Sequence, residues 1–355
     1  MYLGEGTMRP YLTTRSLIPE NQETPISFIR GWQTEEPLFY RRNHFQYPRL
    51  PEDHLFLPIL GHVQQPRMFS YQDLASMPSK TLTVALECAG NQRSKFDPRV
   101  YGEQWENGAV SQGTWRGVPL AYLITLTGLH STAKEVVFEG QDFGKREDLE
   151  GVFYYGRSLP LTKALHPDTI IAYEFNGKPI PFKHGYPYRL IVPQWYAMAS
   201  VKWLKRIKVI DHEYQGPFQT IDYQYYPYPD LDKGKTPVTV TNVNSIIQQP
   251  LPFQILDQGI HQLEGLAWTG LGRIKEVEVS VTGGESWEKA TLVNSTAQPY
   301  AWTQWSYLWE VKEKGEYRIK SRAKDYNGRV QPEKPFWNRK GYGYNAIAEV
   351  KVKVV

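Results

Sequence analysis

A chain of 355 residues with 41% hydrophobic and 22% charged positions outgrows one ordinary hydrophobic core, so two domains are expected. The net charge of +4, with no basic run, excludes a nucleic-acid footprint, and no stretch approaches the ~18 apolar residues that a membrane span needs. The single cysteine excludes an internal disulfide, and a start without an apolar signal region sets a cytoplasmic expectation, periplasmic if a leader has been removed.

Residues 1–36 read as a polar, irregular arm, because Pro10, Pro19, Pro25 and Pro37 block any long helix. Leu38 to Pro48 reads as a short aromatic strand end running into a polar loop. There Arg41, Arg42, Asn43 and His44 suit either a solvated turn or a clamp for an anion. Pro58–Val63 predicts a strand, and a helix starts at Ser70.

Next comes the stretch Thr81–Arg93. Leu82, Val84 and Leu86 alternate with Thr81, Thr83, Ala85 and Glu87, which predicts a half-buried strand, and Cys88 continues the inward parity. Gly90 and Asn91 turn the chain and return Arg93 to the same spot. An inward thiol beside a cation suits a soft metal or a nucleophile; a small buried hydrophobe is the bland reading.

Further along, Trp115–Pro119 feeds a helix from Leu120 to Leu126, stopped at Gly128. Glu135–Asp142 predicts a buried strand ending in an acidic loop. Leu161–Leu165 predicts a short helix and Thr169–Tyr173 a strand. Lys183–Pro193 predicts a loop, with His184 and Arg189, feeding an apolar strand. Tyr223–Pro237 has linker character. Beyond it, short alternating strands such as Val277, Val279 and Val281 predict an immunoglobulin-like sandwich. Between its last strands lies a non-strand loop, Phe336–Gly341, with aromatic and cationic side chains. The fold class is therefore α+β: a mixed α/β domain over residues 1–235, then an all-β sandwich over 236–355.

Cys88-Ala89-Gly90-Asn91-Gln92-Arg93 resembles the cysteine loop of the sulfite oxidase family of molybdenum enzymes. Arg42-Asn43-His44, Phe138–Asp142, His184–Arg189 and Val201–Leu204 follow in that family's order. The resemblance implies a molybdenum–molybdopterin cofactor with Cys88 as the protein's thiolate ligand. It implies a cofactor pocket made by Tyr40, Arg41, Arg42, Asn43, His44, Asp142, His184, Arg189, Ser200, Val201 and Lys202. Around the substrate it implies Arg42, Arg93, Arg339, Trp105 and Tyr223. The activity implied is oxidation of sulfite to sulfate, with electrons leaving to cytochrome c, oxygen or another external acceptor, by a homodimer joined through the second domain. Gln92 stands where animal members carry arginine. Arg339 argues against the family's nitrate-reducing branch, and the sandwich argues against its smaller sulfoxide-reducing relatives. An empty scaffold serving assembly is the non-enzymatic alternative.

Overall fold

The computed structural model describes residues 11–293 and 298–355. The start of the arm is not irregular: Thr13–Leu17 and Glu20–Glu23 pair as an antiparallel hairpin. Its loop carries Pro19 outside the ladder, where a missing N–H costs nothing. The hairpin packs onto the cysteine region, since the Glu23 carboxylate accepts from the backbone N–H groups of Glu106 (3.1 Å) and Gly108 (2.9 Å) and pairs with Arg15.

The first domain contains two sheets. One has the order Lys178–Pro179, Ile170–Phe175, Val110–Pro119, Lys80–Glu87, and Arg189–Ile191 also pairs with Ile170–Phe175. The other has the order Arg67–Ser70, Phe56–Gly61, Leu204–Ile210, Glu135–Lys145, Val152–Pro160. All of these pairings are antiparallel except that between Phe56–Gly61 and Leu204–Ile210. Helices are short among the described residues: Tyr71–Ser76, Leu120–Thr127, Leu161–Ala164 and Pro217–Thr220. Tyr71–Ser76 starts at a reciprocal cap, with Ser70 and Asp73 satisfying each other's backbone N–H groups. Among these residues no helix is long and apolar enough to cross a membrane.

The second unit is a sandwich. A four-stranded sheet (Asn244–Gln249, Gly259–Trp268, Thr303–Val311, Thr291–Val293) faces a five-stranded one. The latter runs Ile255–Leu256, Ala348–Val354, Gly315–Asp325, Ile274–Ser280, Glu288–Lys289. Val277, Val279, Trp305, Trp309, Ile319, Val350 and Val352 fill the space between them, as their alternation requires. Tyr223–Pro237 is not a free linker: Gln224–Tyr225 pairs with Thr236–Pro237 and folds it back on the first domain.

Two apolar clusters cross between the units. Ile29 and Val110 pack with Ile246, Leu266, Trp268 and Trp302, while Ala89, Met198 and Tyr223 pack with Tyr342. This closure explains why Lys80–Glu87 is not half-buried. Thr83 and Glu87 on its second face are buried as well, because the sandwich covers that face.

Candidate active site

At the seam of the two units, and rooted in the first, lies a narrow cleft of about 630 Å³ counted out to its solvent mouth. It is lined by Tyr40, Arg42, Asn43, His44, Cys88, Asp142, His184, Arg189, Ser200, Lys202 and Tyr223, all named above, and by Tyr155, Lys183, Ala197 and Met198, which were not. Residues separated by up to 183 positions in sequence thus meet in one cavity.

Cys88 ends the strand Lys80–Glu87 and is 7% exposed. A tight turn follows it, with Asn91 N–H donating to the Cys88 carbonyl at 2.9 Å and Gln92 in the left-handed region at φ +63°. Burial raises the thiol's pKa, and Arg42 and Arg93 oppose that by favouring the thiolate. Arg93 is threaded between glycines. A Cβ on Gly90 would lie 2.5 Å from its guanidinium, and on Gly102 or Gly341 3.0 Å from its side chain. Its Nε donates to the Lys340 and Gly341 carbonyls and Nη1 to that of Glu103, and its guanidinium carbon stands 5.1 Å from the Tyr342 ring centre. Arg93 therefore supports the cleft beside Cys88 without lining it.

The cationic wall is deeply set. Lys202 donates to the Arg42 carbonyl (3.1 Å) and to Asn43 Oδ1. Burial first, then Arg189, holds the Lys202 ammonium well below its ordinary pKa, while Asp142 works the other way. Asp142 is raised by burial and lowered by Lys202. Arg189 stacks on Trp115 at 5.0 Å and donates to the Ser200 and His184 carbonyls, and burial lowers it to about 10. Both imidazoles are kept neutral: burial, then Arg42, acts on His44, and burial, then Arg189, on His184. His44 lies flat on Phe218 (4.8 Å, 13°) and shares a 2.9 Å hydrogen bond with the Tyr223 hydroxyl.

Asp142 Oδ1 and His184 Nε2 are buried without a hydrogen-bond partner. Such orphaned atoms at a cavity wall are costly unless a ligand completes them. Together with three cations and one thiol they form a donor set for a ligand that is at once anionic, rich in hydrogen-bonding edges and bound to a soft metal.

The chain matches the molybdopterin binding domain of oxidoreductases over residues 44–218 and the Mo-co oxidoreductase dimerisation domain over 235–355. It is 34% identical over 374 residues to mitochondrial sulfite oxidase of Mus musculus, spanning 100% of this chain and 68% of that one. It belongs to the sulfite oxidase family. An inducible NADH nitrate reductase of Glycine max is 33% identical over 371 residues, 95% of this chain and 41% of that one. Among solved structures, the sulfane dehydrogenase SoxCD of Paracoccus pantotrophus superposes with a TM-score of 0.81 at 28% identity, covering 98% of this chain and 86% of that one. As a family member the chain is a molybdenum oxidoreductase that takes molybdopterin, and the orphaned Asp142 and His184 atoms fit that group.

Not every residue implied by the family motifs reaches the cleft. Arg339 does not: its guanidinium pairs with Asp232 (2.6 Å), donates to the Pro229 carbonyl and lies over Tyr226 at 4.4 Å. The preceding Asn338 is buried and turns the loop by bonding the Tyr342 backbone, which sends position 339 outward. Its neighbour Lys340 contributes its carbonyl to Arg93 and its ammonium to Asp222 at 3.4 Å. Trp105 packs in the cluster of Cys88 and Tyr40, its indole N–H buried and unpartnered. Val201 is a buried backbone neighbour, accepting from Leu190 N–H. Arg41 turns away to Gln22 and Glu20. Asp142 is not in a loop: it sits inside the strand Glu135–Lys145, at a shift of register between Glu139 and Phe143 that aims it into the cleft. Tyr155 had a signal that went unused, since it alternates with Arg157 on one strand; Ala197 and Met198 lie in a 3-10 turn without periodicity.

Proposed function

We propose that this enzyme oxidises sulfite to sulfate. The observation that carries the reading is the meeting of a buried thiol with Arg42, neutral His44 and Tyr223 at one end of a cationic cleft. Arg42, His44, Asp142, His184, Arg189, Ser200 and Lys202 would hold the molybdopterin, with Tyr40 and Asn43 closing its walls and Cys88 supplying the thiolate to the metal. When bound, that cofactor supplies the two-electron redox chemistry and the oxygen-atom transfer.

The rest falls to the chain. Arg42 places a guanidinium where a compact oxyanion can be gripped at two points, and Arg93 adds charge from behind the Cys88 loop. Tyr223 presents a hydroxyl already oriented by His44, so it can donate to a substrate oxygen and take the proton back. Burial keeps Tyr223 a phenol, its pKa well above 10, which suits a donor. Trp105 backs the Cys88 side of the site. Arg339 is left out of this constellation, so it gives no ground for choosing between sulfite and nitrate. Electrons pass to an external acceptor (cytochrome c, oxygen or another carrier), the sandwich joins two copies, and the working compartment is the cytoplasm.

Steady-state turnover of sulfite, nitrate and a sulfoxide by the molybdenum-loaded protein with artificial redox partners tests the reading. Sulfite-dependent acceptor reduction is the expected result. Turnover of nitrate alone would replace it, and a folded protein that carries no pterin would overturn it. Light scattering of the purified protein checks the dimer.

A further inference from the structure

Arg157 has no part in the constellation above, yet it is 2% exposed and forms no ion pair among the described residues. It lies on Val152–Pro160 two residues after Tyr155, so both side chains leave the same face of the strand, toward the cleft. The titratable groups around it are four phenols, those of Tyr155, Tyr223, Tyr342 and Tyr214. A buried cation without a counter-charge is costly to fold, so what it touches matters.

It touches both ends of one segment. An Nη1 proton is donated to the Phe218 carbonyl, Nε has no partner, and the guanidinium carbon stands 5.4 Å from the Tyr223 ring centre. Between those residues runs the single turn Pro217–Thr220 and its exit. Tyr223 sits in the left-handed region at φ +48°, which a bulky side chain does not choose unaided. The same segment carries Phe218, the ring on which His44 lies. Arg146 cannot take over, because its guanidinium is committed to Asp148 and Asp222.

We propose that Arg157 is a positioning residue for Tyr223: it pins the Phe218–Tyr223 segment from behind the cleft and so sets where the Tyr223 hydroxyl meets the substrate. In its kinetic part the proposal rests on the sulfite reading. The test compares sulfite oxidation by holoenzyme carrying Arg157→Met, Arg157→Lys or Tyr223→Phe, and by the double variant that combines Arg157→Met with Tyr223→Phe. Arg157→Met is expected to lower kcat/KM about tenfold, the scale of a small misplacement of a reacting group. Arg157→Lys restores most of it, and Arg157→Met costs under about twofold in the Tyr223→Phe background.

A second readout needs no turnover. In 3-fluorotyrosine-labelled protein the ¹⁹F resonance of Tyr223, assigned by its loss in Tyr223→Phe, moves in Arg157→Met and returns toward its place in Arg157→Lys. If Arg157→Met does not accumulate folded, Arg157→Gln takes its place with the same expectations, since it keeps a donor for Phe218 and loses the cation. An equal loss with and without the Tyr223 hydroxyl, or an unmoved resonance, overturns the proposal. If wild type fails to oxidise sulfite, the function falls and the resonance alone decides the role of Arg157.

Discussion

Glu87 offers the sharpest physical test, because its carboxyl lies behind the Cys88 loop in the seam with the sandwich. It is 2% exposed and accepts from Trp268 Nε1 (2.9 Å), Asn91 Nδ2 (3.1 Å) and Asn244 Nδ2 (3.5 Å). Those three donors favour the carboxylate, but burial outweighs them and raises the pKa from 4.5 to about 7. Between those values the folded protein holds a proton that the unfolded chain has released, so stability falls as pH rises. The slope is about 1.4 kcal/mol per pH unit, roughly 3 kcal/mol across the window. Glu87→Gln cannot ionise and resembles the protonated acid in shape and hydrogen bonding. It should match wild type near pH 4.5 and exceed it above pH 7. For a chain of this size unfolding as one unit, the gain amounts to about 4 °C in Tm. Scanning calorimetry of both proteins from pH 4.5 to 8.5 measures the difference directly. A Tm difference that stays flat with pH would show that Glu87 is ionised throughout and that the donors, not burial, win.

Other substitutions separate the roles assigned above. Cys88→Ser should leave secondary structure intact by circular dichroism and abolish sulfite turnover; full turnover would remove the thiolate from the metal. Asp142→Asn, changing a carboxylate with an orphaned oxygen, should reduce bound pterin several-fold by fluorescence of the released cofactor, while apo-protein stability holds or rises because a buried charge is gone. Gly90→Ala puts a methyl 2.5 Å from the Arg93 guanidinium and should raise the KM for sulfite about tenfold as that side chain is displaced, at unchanged molybdenum content by plasma mass spectrometry. Arg339→Met should change sulfite kinetics less than about twofold, because it breaks only a partly exposed pair with Asp232; a steep rise in KM would mean that Arg339 swings into the cleft.

What can be read along the chain by itself is whatever depends on neighbours in sequence. The alternation of Val277, Val279 and Val281 announces a sandwich strand, and Leu120–Leu126 before Gly128 announces a helix that forms as Leu120–Thr127. Cys88 continues an apolar parity and is buried where that parity ends. Order of motifs likewise carries the family, since Arg42-Asn43-His44, Cys88–Arg93 and His184–Arg189 are short and local. Tertiary structure alone decided the rest. Whether Arg339 faces the cleft depends on Asn338 capping the Tyr342 backbone, a contact inside an aperiodic loop. Both faces of Lys80–Glu87 are covered because a second domain, more than 150 residues further on, lies against one of them. Arg157 acquires its meaning only when Phe218 and Tyr223 fold back over it, and no local spacing records a contact of that range. Periodicity reports which side of an element is turned inward; it is silent on what waits there.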